Sequence, residues 1–391
     1  MRNILICVDS AFQYIIAASL RNTMYKDDRV DLVIYNSFGS AVSLYKKTNS
    51  LDFFRKVFLA DTPLTYCGKK YSVREKLPKY FIYIKSLITP KNTCSSILNE
   101  EFDCKYDHMI FNGDGALPEC IFNSCLKDNP KLICYRIEDG YFSYMKIFGK
   151  EKGRARVLFE STMHHMFRTK NIRNYIRGYY LSEPDLKQVE YPYPAIRISK
   201  FSRDNNELIK FLNNVFDYDP SNNREFDGKV IYFEDGASFF DGSDEEISIM
   251  QEIIKTIPSK DILVKRHTRR IEDRFAPMGI SCCTVNSVPW ELIQLNGHFD
   301  GQTLISSCSG TLYNSDIYFG DKCKKIYTYR MMKNPPFITK EEHFEDFLTK
   351  FREVFGATSI LTPNSNNEFV SVIFEHIAGG KQNENSSINS Y

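Results

Sequence analysis

Residues 131–144, with the sequence KLICYRIEDGYFSY, join a short apolar run to two adjacent carboxylates and a glycine. The run at 132–135 is typical of a buried strand, and the acidic triplet Glu138, Asp139 and Gly140 follows it. In an open α/β sheet, the carboxyl ends of the strands face a ligand crevice. Two carboxylates at such an edge repel each other, which raises the pKa of one and favours it as a general base. The alternative is an ordinary Asp-Gly turn.

Outside this stretch, apolar strand-like runs alternate with helix-like segments in two successive halves of the chain. Predicted strands in the first half are 3–8, 30–35 and 106–111, and predicted helices are 12–20, 51–58, 79–87 and 117–126. Predicted strands in the second half are 229–233, 262–265, 302–306 and 325–329. Strands joined by helices predict a parallel sheet. We therefore expect an α/β fold of two Rossmann-like domains facing a central cleft.

The domain boundaries are predicted from changes in composition along the chain. Residues 1–200 form the first domain and carry the carboxylate motif, and a linker follows over 201–227. Residues 228–378 form the second domain. The tail at 379–391 is polar and rich in Asn and Ser, which predicts disorder.

Bulk composition excludes several classes of protein. The 391 residues are 42% hydrophobic, which is enough for two globular domains. The 51 basic and 49 acidic side chains nearly cancel, so no net field favours a nucleic-acid partner. The 11 scattered cysteines indicate reduced thiols of a cytoplasmic protein, without zinc-site spacing. No apolar run is long enough to span a membrane.

A histidine among basic residues marks one predicted strand end in the second half. The strand at 262–265 leads into Lys265, Arg266 and His267. Neighbouring cations disfavour a charged histidine unless an anion such as a phosphate binds beside it. A histidine paired with a phosphate would be protonated and able to donate to a leaving phosphate. The alternative is an inert histidine in a basic turn.

Two further motifs in the second half have both a binding and a structural interpretation. Glu291 follows Pro289 and Trp290 at a helix start, where it would accept hydrogen bonds from ribose hydroxyls or simply favour the helix N-terminus. Ser306 and Ser307 end a strand before Gly310, and such hydroxyls either bind phosphate or cap a turn.

The order of these motifs resembles the bacterial sialyltransferases of the GT-B fold, in glycosyltransferase family 52 and its polysialyltransferase relatives. Those families carry a D/E-D/E-G motif, an H-P motif and a paired Ser/Thr motif. The triplet 138–140 matches the first and the pair 306–307 matches the third, whereas Thr268 stands where the second has proline. The opening residues also look like the family's first strand and helix, through Ser10 and Gln13.

The resemblance implies an inverting, metal-independent transfer of sialic acid from CMP-sialic acid, with no cofactor besides the donor. Glu138 or Asp139 would take the proton of the acceptor hydroxyl. His267 would protonate or hydrogen-bond the departing phosphate, which Ser306 and Ser307 would hold. The remaining implied contacts are Glu291 to ribose, main-chain groups of Lys265 and Arg266 to cytosine, and Ser10, Gln13, Asn112, Gly113 and Gly140 on the sialic acid or acceptor side.

Several alternatives remain open at this point. A second acidic triplet, Glu234, Asp235 and Gly236, repeats the first motif after a strand, and Asp244 lies near it. Another donor, CMP-Kdo or a UDP-sugar, would suit the same fold. The chain could instead be a non-catalytic nucleotide- or glycan-binding protein of polysaccharide assembly, or an unrelated α/β enzyme.

The expected acceptor is a bacterial surface glycan, lipooligosaccharide or capsule. A lipid-linked acceptor would require peripheral contact with the inner face of the cell membrane through an exposed basic-aromatic surface. The basic stretch 79–92 and residues 145–180 are the candidates for acceptor contact. Residues 146–177 are the candidate for membrane contact, although a solvated surface explains them equally well.

Overall fold

The computed structural model describes residues 1–61, 73–98, 100–103, 105–113, 115–145, 154–236, 243–268 and 272–375. The chain divides into two compact units. The first contains residues 1–199 and 204–217, and the second contains 200–203 and the chain from 218 onward. The predicted tail at 379–391 and the side chain of Asp244 lie outside the described residues.

The first unit is built on a seven-stranded parallel sheet with the order β3-β2-β1-β4-β5-β6-β7. Its strands are β1 (Asn3–Val8), β2 (Arg29–Tyr35), β3 (Lys56–Ala60), β4 (His108–Phe111), β5 (Ile133–Ile137), β6 (Ile176–Leu181) and β7 (Ala195–Arg197). Its helices are α1 (Ala11–Asn22), α2 (Ala41–Asn49), α3 (Val73–Ile88), α4 (Pro90–Leu98), α5 (Ala116–Asp128), α6 (Phe142–Met145), α7 (Arg154–Phe167) and α8 (Asn206–Phe216).

The strands of this sheet are continuous apolar runs, which suit a sheet that is buried on both faces. In β1 the five residues after Asn3 are buried, and Cys7 packs in one core cluster with Val33, Met109 and Ile121. Parallel sheets are covered by helices on both faces, and their strands therefore read as unbroken apolar runs.

The second unit repeats the arrangement with five parallel strands in the order β10-β9-β8-β11-β12. Its strands are β8 (Val230–Phe233), β9 (Ile262–Lys265), β10 (Ser281–Cys282), β11 (Thr303–Ser306) and β12 (Lys324–Tyr327). Its helices are α9 (Ser243–Thr256), α10 (Trp290–Leu295), α11 (Thr311–Asn314), α12 (Phe344–Phe355) and α13 (Asn366–Ile373). The predicted α/β fold with two Rossmann-like units is confirmed.

Two features of the first unit differ from the predictions. The helix predicted at 51–58 is wrong: the chain turns at 50–55 and then forms β3, whose Val57 and Phe58 are buried beside β2. An apolar run this short fits a strand as well as a helix. The sequence pattern also missed β6 and β7, which lie in a stretch whose polar residues obscure the strand pattern.

The nine cysteines in the described parts of the chain form no disulfide with one another, and their reduced state stays a prediction. No helix among the described residues is long and apolar enough to cross a membrane.

Helix α8, from the segment predicted as a linker, packs on the first unit. Its buried face carries Phe211, whose ring stacks on Phe53 with centroids 3.7 Å apart and contacts Tyr14 of α1. A buried ring in such a stack contributes both area and aromatic contact energy.

We expect Phe211→Ala to lower the free energy of unfolding by about 3–5 kcal/mol, because it leaves a cavity among aromatic rings. Chemical denaturation followed by circular dichroism measures the change. Lys210→Ala, on the exposed face of the same helix, is the matched control and should stay within about 0.5 kcal/mol of wild type. Equal effects of the two substitutions would contradict this packing.

Candidate functional site

Polar side chains of the first unit converge where three neighbouring strands end. Asp9 follows β1, Asn112 follows β4, and Asp139 lies two residues beyond β5. These strands are adjacent and parallel in the sheet, so their carboxyl ends lie at one edge. This edge is where open α/β sheets bind ligands.

Gln13, on the first turn of α1, holds two carboxylates of this edge together. Its Oε1 accepts a hydrogen bond from the Asp9 backbone N–H at 3.0 Å, and its Nε2 donates to Asp139 Oδ1 at 3.0 Å. Its side chain also hydrogen-bonds the Asp9 carboxylate. Gln13 is fully buried. It therefore positions the two carboxylates, and its predicted contact with substrate stays a prediction.

Burial and mutual repulsion make the two carboxylates basic. Burial, and then the charge of Asp139, raise the pKa of Asp9 to about 7. Burial also raises the pKa of Asp139, although hydrogen bonds from Gln13 and Asn112 act in the opposite direction. Two interacting carboxylates titrate as a pair. The pair therefore takes up a proton near neutral pH, which is the property that a general base requires.

The loops around the pair hold it by local hydrogen bonds. The Asp139 N–H donates to Ser143 Oγ at 2.7 Å, and Gly140 turns the chain with φ of +61°, a conformation that strains residues with a side chain. Ser10 caps α1 by accepting from the Gln13 N–H at 3.2 Å. Ser10 is partly exposed beside this cap, and its predicted contact with substrate stays a prediction.

Asn112 and Gly113 lie in the loop between β4 and α5. Asn112 is 5% exposed, and its side chain hydrogen-bonds Asp139. Its Oδ1 has no hydrogen-bond partner among the described residues. Gly113, which is partly exposed, has φ of +75°, and no neighbouring atom lies within 4 Å of the point that a Cβ would occupy there. Asn112 therefore orients Asp139, and Gly113 leaves open space beside it.

Glu138, although adjacent to Asp139, is fully buried. It accepts hydrogen bonds from Tyr144 Oη at 2.7 Å, from the Ser182 N–H at 3.2 Å and from Ser182 Oγ. Because Ser182 follows β6, these bonds fasten the ends of β5 and β6 together. With both oxygens occupied, Glu138 is poorly placed to take a proton from an acceptor, and Asp139 is the better candidate.

In the second unit, the repeated triplet 234–236 lies in a buried charge cluster. Arg274 Nη2 contacts Glu234 Oε1 at 2.8 Å and also pairs with Glu246 of α9. Asp235 accepts from Ser306 Oγ and from the Cys308 N–H, both at 3.3 Å. Burial, and then the charge of Glu246, raise the pKa of Asp235 to about 8. Asp235 is thus held within the buried hydrogen-bond network of the second unit, and which of the two triplets supplies the base stays a prediction.

The paired serines also belong to this scaffold. Ser306 and Ser307 are fully buried. Ser306 Oγ donates to Phe233 O at 2.9 Å and accepts from the Ser309 N–H at 3.1 Å, which ties β11 to β8. The prediction that these two hydroxyls hold a phosphate is not supported by their burial. Ser309, which is partly exposed, is the accessible hydroxyl of this junction.

His267 lies at the end of β9, beside the second triplet. Its backbone N–H donates to Glu234 Oε2 at 3.3 Å, and its ring lies against Gly236. A Cβ at Gly236 would lie 3.0 Å from both Cε1 and Nε2 of that ring, so the glycine makes room for the imidazole. The side chains of Arg266 and His267 are partly exposed, unlike the serines. They remain the candidates for anion contact in this unit.

The side chains of Lys265 and Glu291 have structural partners within the protein, whereas the cytosine contact predicted for Lys265 is through its main chain and stays a prediction. Lys265 Nζ donates to Val285 O at 3.1 Å and to Asn286 O at 2.7 Å, and burial lowers its pKa. Glu291 Oε1 accepts from Asn314 Nδ2 at 2.5 Å, and burial raises its pKa. Both are more than nine-tenths buried. A ribose or a cytosine would not reach their side chains without rearrangement.

Sequence reasoning missed Asp9 as a functional candidate, because Asp9-Ser10 before the predicted helix at 12–20 also fits an ordinary helix N-cap. The available signal was its place directly after the first parallel strand, the same position that drew attention to Asp139. Arg274 and Glu246 were also missed, since neither lies at a strand end and their pairing is visible only in three dimensions.

A cluster of possible metal ligands is explained by protein contacts. His298, Asp300 and Asp321 place one ligand atom each within 4.8 Å of one another. However, Asp321 pairs with Arg203 at 2.6 Å, and Asp300 Oδ1 accepts the Lys322 N–H at 2.7 Å. The predicted absence of a metal site remains a prediction.

Comparison with known proteins returned structural similarities only. No protein-family model matches the chain, and no curated protein matches it in sequence. Similar solved structures include the calicheamicin glycosyltransferase CalG4, at 7% identity and a TM-score of 0.47 over 96% of this chain and 89% of that chain. UDP-GlcNAc 2-epimerase from Neisseria meningitidis matches at 11% identity and a TM-score of 0.46, over 96% and 100%. MurG from Acinetobacter baumannii matches at 9% identity and a TM-score of 0.44, over 97% and 91%.

We expect Asp9→Asn to change the pH dependence of stability. The pKa of Asp9 in the folded protein, about 7, lies above its ordinary value of about 4, so folding takes up a proton between these two pH values. In the wild type, protonated Asp9 therefore adds to the free energy of unfolding at low pH. This contribution is lost as the pH rises toward 7. The unfolding free energy of Asp9→Asn minus that of wild type should therefore increase from pH 4 to pH 7, by an amount on the order of 2 kcal/mol.

Ser37→Ala is the matched control, since Ser37 Oγ donates to Asp9 O at 2.9 Å but does not titrate. Its difference from wild type should not vary with pH in urea denaturation. A flat difference for Asp9→Asn as well would show that the Asp9 pKa is ordinary.

Proposed function

We propose that this chain is a glycosyltransferase that moves a sugar from a nucleotide-sugar donor to a hydroxyl acceptor with inversion at the anomeric carbon. The observation that carries the proposal is the pair Asp9 and Asp139, joined by Gln13 at the carboxyl edge of a parallel sheet. The motif order that resembles GT-B sialyltransferases supports the reaction class.

In the proposed reaction, the carboxylate pair is the base. As the acceptor oxygen attacks the anomeric carbon, its proton passes to the pair. The new carbon–oxygen bond forms while the bond from that carbon to the donor phosphate oxygen breaks. The nucleotide leaves with the bonding electrons and an added negative charge. The pKa of Asp9, near 7, matches a base that works at neutral pH.

His267 is the proposed partner of the departing phosphate. Its ring lies against Gly236 at the end of β9 and is partly exposed, and Arg266 beside it adds positive charge. A bound phosphate would favour the imidazolium form, which donates a proton or a hydrogen bond to the leaving oxygen. Ser309 replaces Ser306 and Ser307 as the proposed hydroxyl contact, because the latter two are buried.

The donor is proposed as a pyrimidine nucleotide sugar. The motif resemblance favours CMP-sialic acid as the donor. A UDP-sugar is the second candidate, because the buried serine pair removes one of the three motifs on which the choice of a CMP donor depended. The carboxylate pair and His267 would perform the same steps for either donor.

We expect Asp139→Asn to lower kcat/KM by roughly 10²–10⁴-fold, since it removes the base, and His267→Ala to lower it by a similar factor. Asp9→Asn should lower the rate less and move the acid limb of the pH–rate profile below its wild-type position near pH 7, because the remaining carboxylate loses a repelling charge. A radiolabelled-donor assay across pH measures all three.

The matched control is Asp61→Asn, an exposed carboxylate directly after β3 at the same sheet edge. It should keep activity within about threefold of wild type. Wild-type rates in purified Asp139→Asn and His267→Ala would overturn the assignment of the site.

Nucleotide binding gives a test that does not depend on knowing the acceptor. We expect either CMP or UDP, at about 100 times its Kd, to stabilise the chain by roughly 2.7 kcal/mol, and adenine nucleotides to have no effect. Thermal-shift measurement also selects the donor class, since the stabilising nucleotide identifies it. No shift with either pyrimidine nucleotide would contradict the proposal, and binding without donor turnover would favour a non-catalytic binding protein.

A further inference from the structure

Two neighbouring helices of the first unit carry an unusual share of the exposed apolar side chains. Among the described residues, twelve large apolar side chains are strongly exposed, and six of them lie on α3 and α7. We call these six the α3–α7 surface: Phe81, Ile84, Ile88, Leu158, Phe159 and Met166. Single exposed apolar residues are ordinary, whereas a concentration of them marks an interaction surface.

The spacing of these residues shows that each helix is amphipathic. Phe81, Ile84 and Ile88 are separated by three and four residues, so they share one face of α3. Ser86 and Leu87, on another face, are buried against the protein. In α7, Phe159 and Met166 are exposed and lie two turns apart, while His164 is buried and pairs with Glu119 at 3.1 Å. Helices α3 and α7 pack against each other, so the six exposed side chains lie on adjoining helices.

The charge of the same segments is strongly positive. Residues 73–88 and 154–177 contain ten basic residues and two acidic ones, whereas the whole chain has a net charge of only +2. The exposed cations of these segments include Lys85, Arg168, Lys170 and Arg177. The segments that carry the exposed apolar residues therefore also carry an excess of basic residues.

We propose that the α3–α7 surface docks on an anionic lipid bilayer. Interfacial helices combine aromatic and aliphatic side chains, which enter the acyl boundary, with Lys and Arg, which meet anionic headgroups. Phe81 and Phe159 supply the apolar anchors, and Lys85 and Lys170 meet the headgroups. The charge favours a bilayer over a second copy of the chain, since two like-charged surfaces of this kind would repel each other.

This surface acts independently of the proposed glycosyl transfer. None of its residues belongs to the site around Asp139 or His267, and bilayer binding requires neither donor nor acceptor. Failure of one proposal therefore leaves the other testable on its own.

The test is flotation of the purified full chain with vesicles. We expect the wild type to bind vesicles of phosphatidylcholine with about one-third phosphatidylglycerol, and to bind pure phosphatidylcholine at least tenfold more weakly. Raising the salt from about 0.05 M to about 0.5 M should weaken the binding, because it screens the basic residues. The double variant Phe81→Ser/Phe159→Ser and the charge variant Lys85→Glu/Lys170→Glu should each lose roughly tenfold or more of the partition coefficient.

Phe337→Ser is the matched control: Phe337 is 64% exposed but lies in the second unit, outside the surface. It should bind like the wild type, and circular dichroism should show that all variants keep the fold. The proposal is overturned if the wild type does not float with anionic vesicles, or if the two double variants float as well as Phe337→Ser. A wild-type dimer that dissociates in the Phe81→Ser/Phe159→Ser variant would instead assign the surface to contact between copies.

Discussion

The Gln13 side chain holds two carboxylates that would otherwise separate. It bonds both Asp9 and Asp139 from the first turn of α1, at an edge created by the parallel order of β1, β4 and β5. The pair is partly removed from water, and a negative charge on one carboxyl disfavours ionisation of the other. The pKa of Asp9 is therefore raised to about 7, which suits a base that works near neutral pH. The sheet, the helix start and the loop that carries Asn112 all contribute to this one arrangement.

The two acidic triplets show how burial changes the role of the same residues. After β5, Asp139 stays partly exposed while Glu138 is occupied by Tyr144 and Ser182. After β8, Asp235 is buried among hydrogen-bond donors and carries a proton at neutral pH, which makes it a fixed part of the sheet edge. Sequence cannot separate these outcomes, since both triplets follow a strand and contain a glycine.

The fold was predictable because its strands are long apolar runs with clear ends. Where that pattern fails, prediction failed: residues 51–58 are too short a run to separate helix from strand, and β6 carries Arg177 and Gly178 within a basic stretch. The site was predictable only as a region. Strand ends indicated the edge at which the candidate carboxylates lie, but the preference for Asp139 over Glu138 depends on contacts with β6, which the sequence pattern did not reveal.

The same limit applies to the second unit. His267 and the paired serines lie after β9 and at the end of β11, yet both serines are buried, and Ser306 is bonded to Phe233 and Ser309. Hydroxyl residues at a strand end satisfy either a ligand or the backbone, and only the packing of neighbouring strands decides between them.

The most direct measurement of the central claim is the titration of the Asp9 carboxyl carbon by NMR, with Asp9→Asn to assign the signal. A midpoint near pH 7 that falls when Asp139 is replaced by Asn is the predicted result, because the charge of Asp139 contributes to the raised pKa of Asp9. A midpoint near pH 4, unchanged by that replacement, would contradict the coupled pair and the base that it supplies.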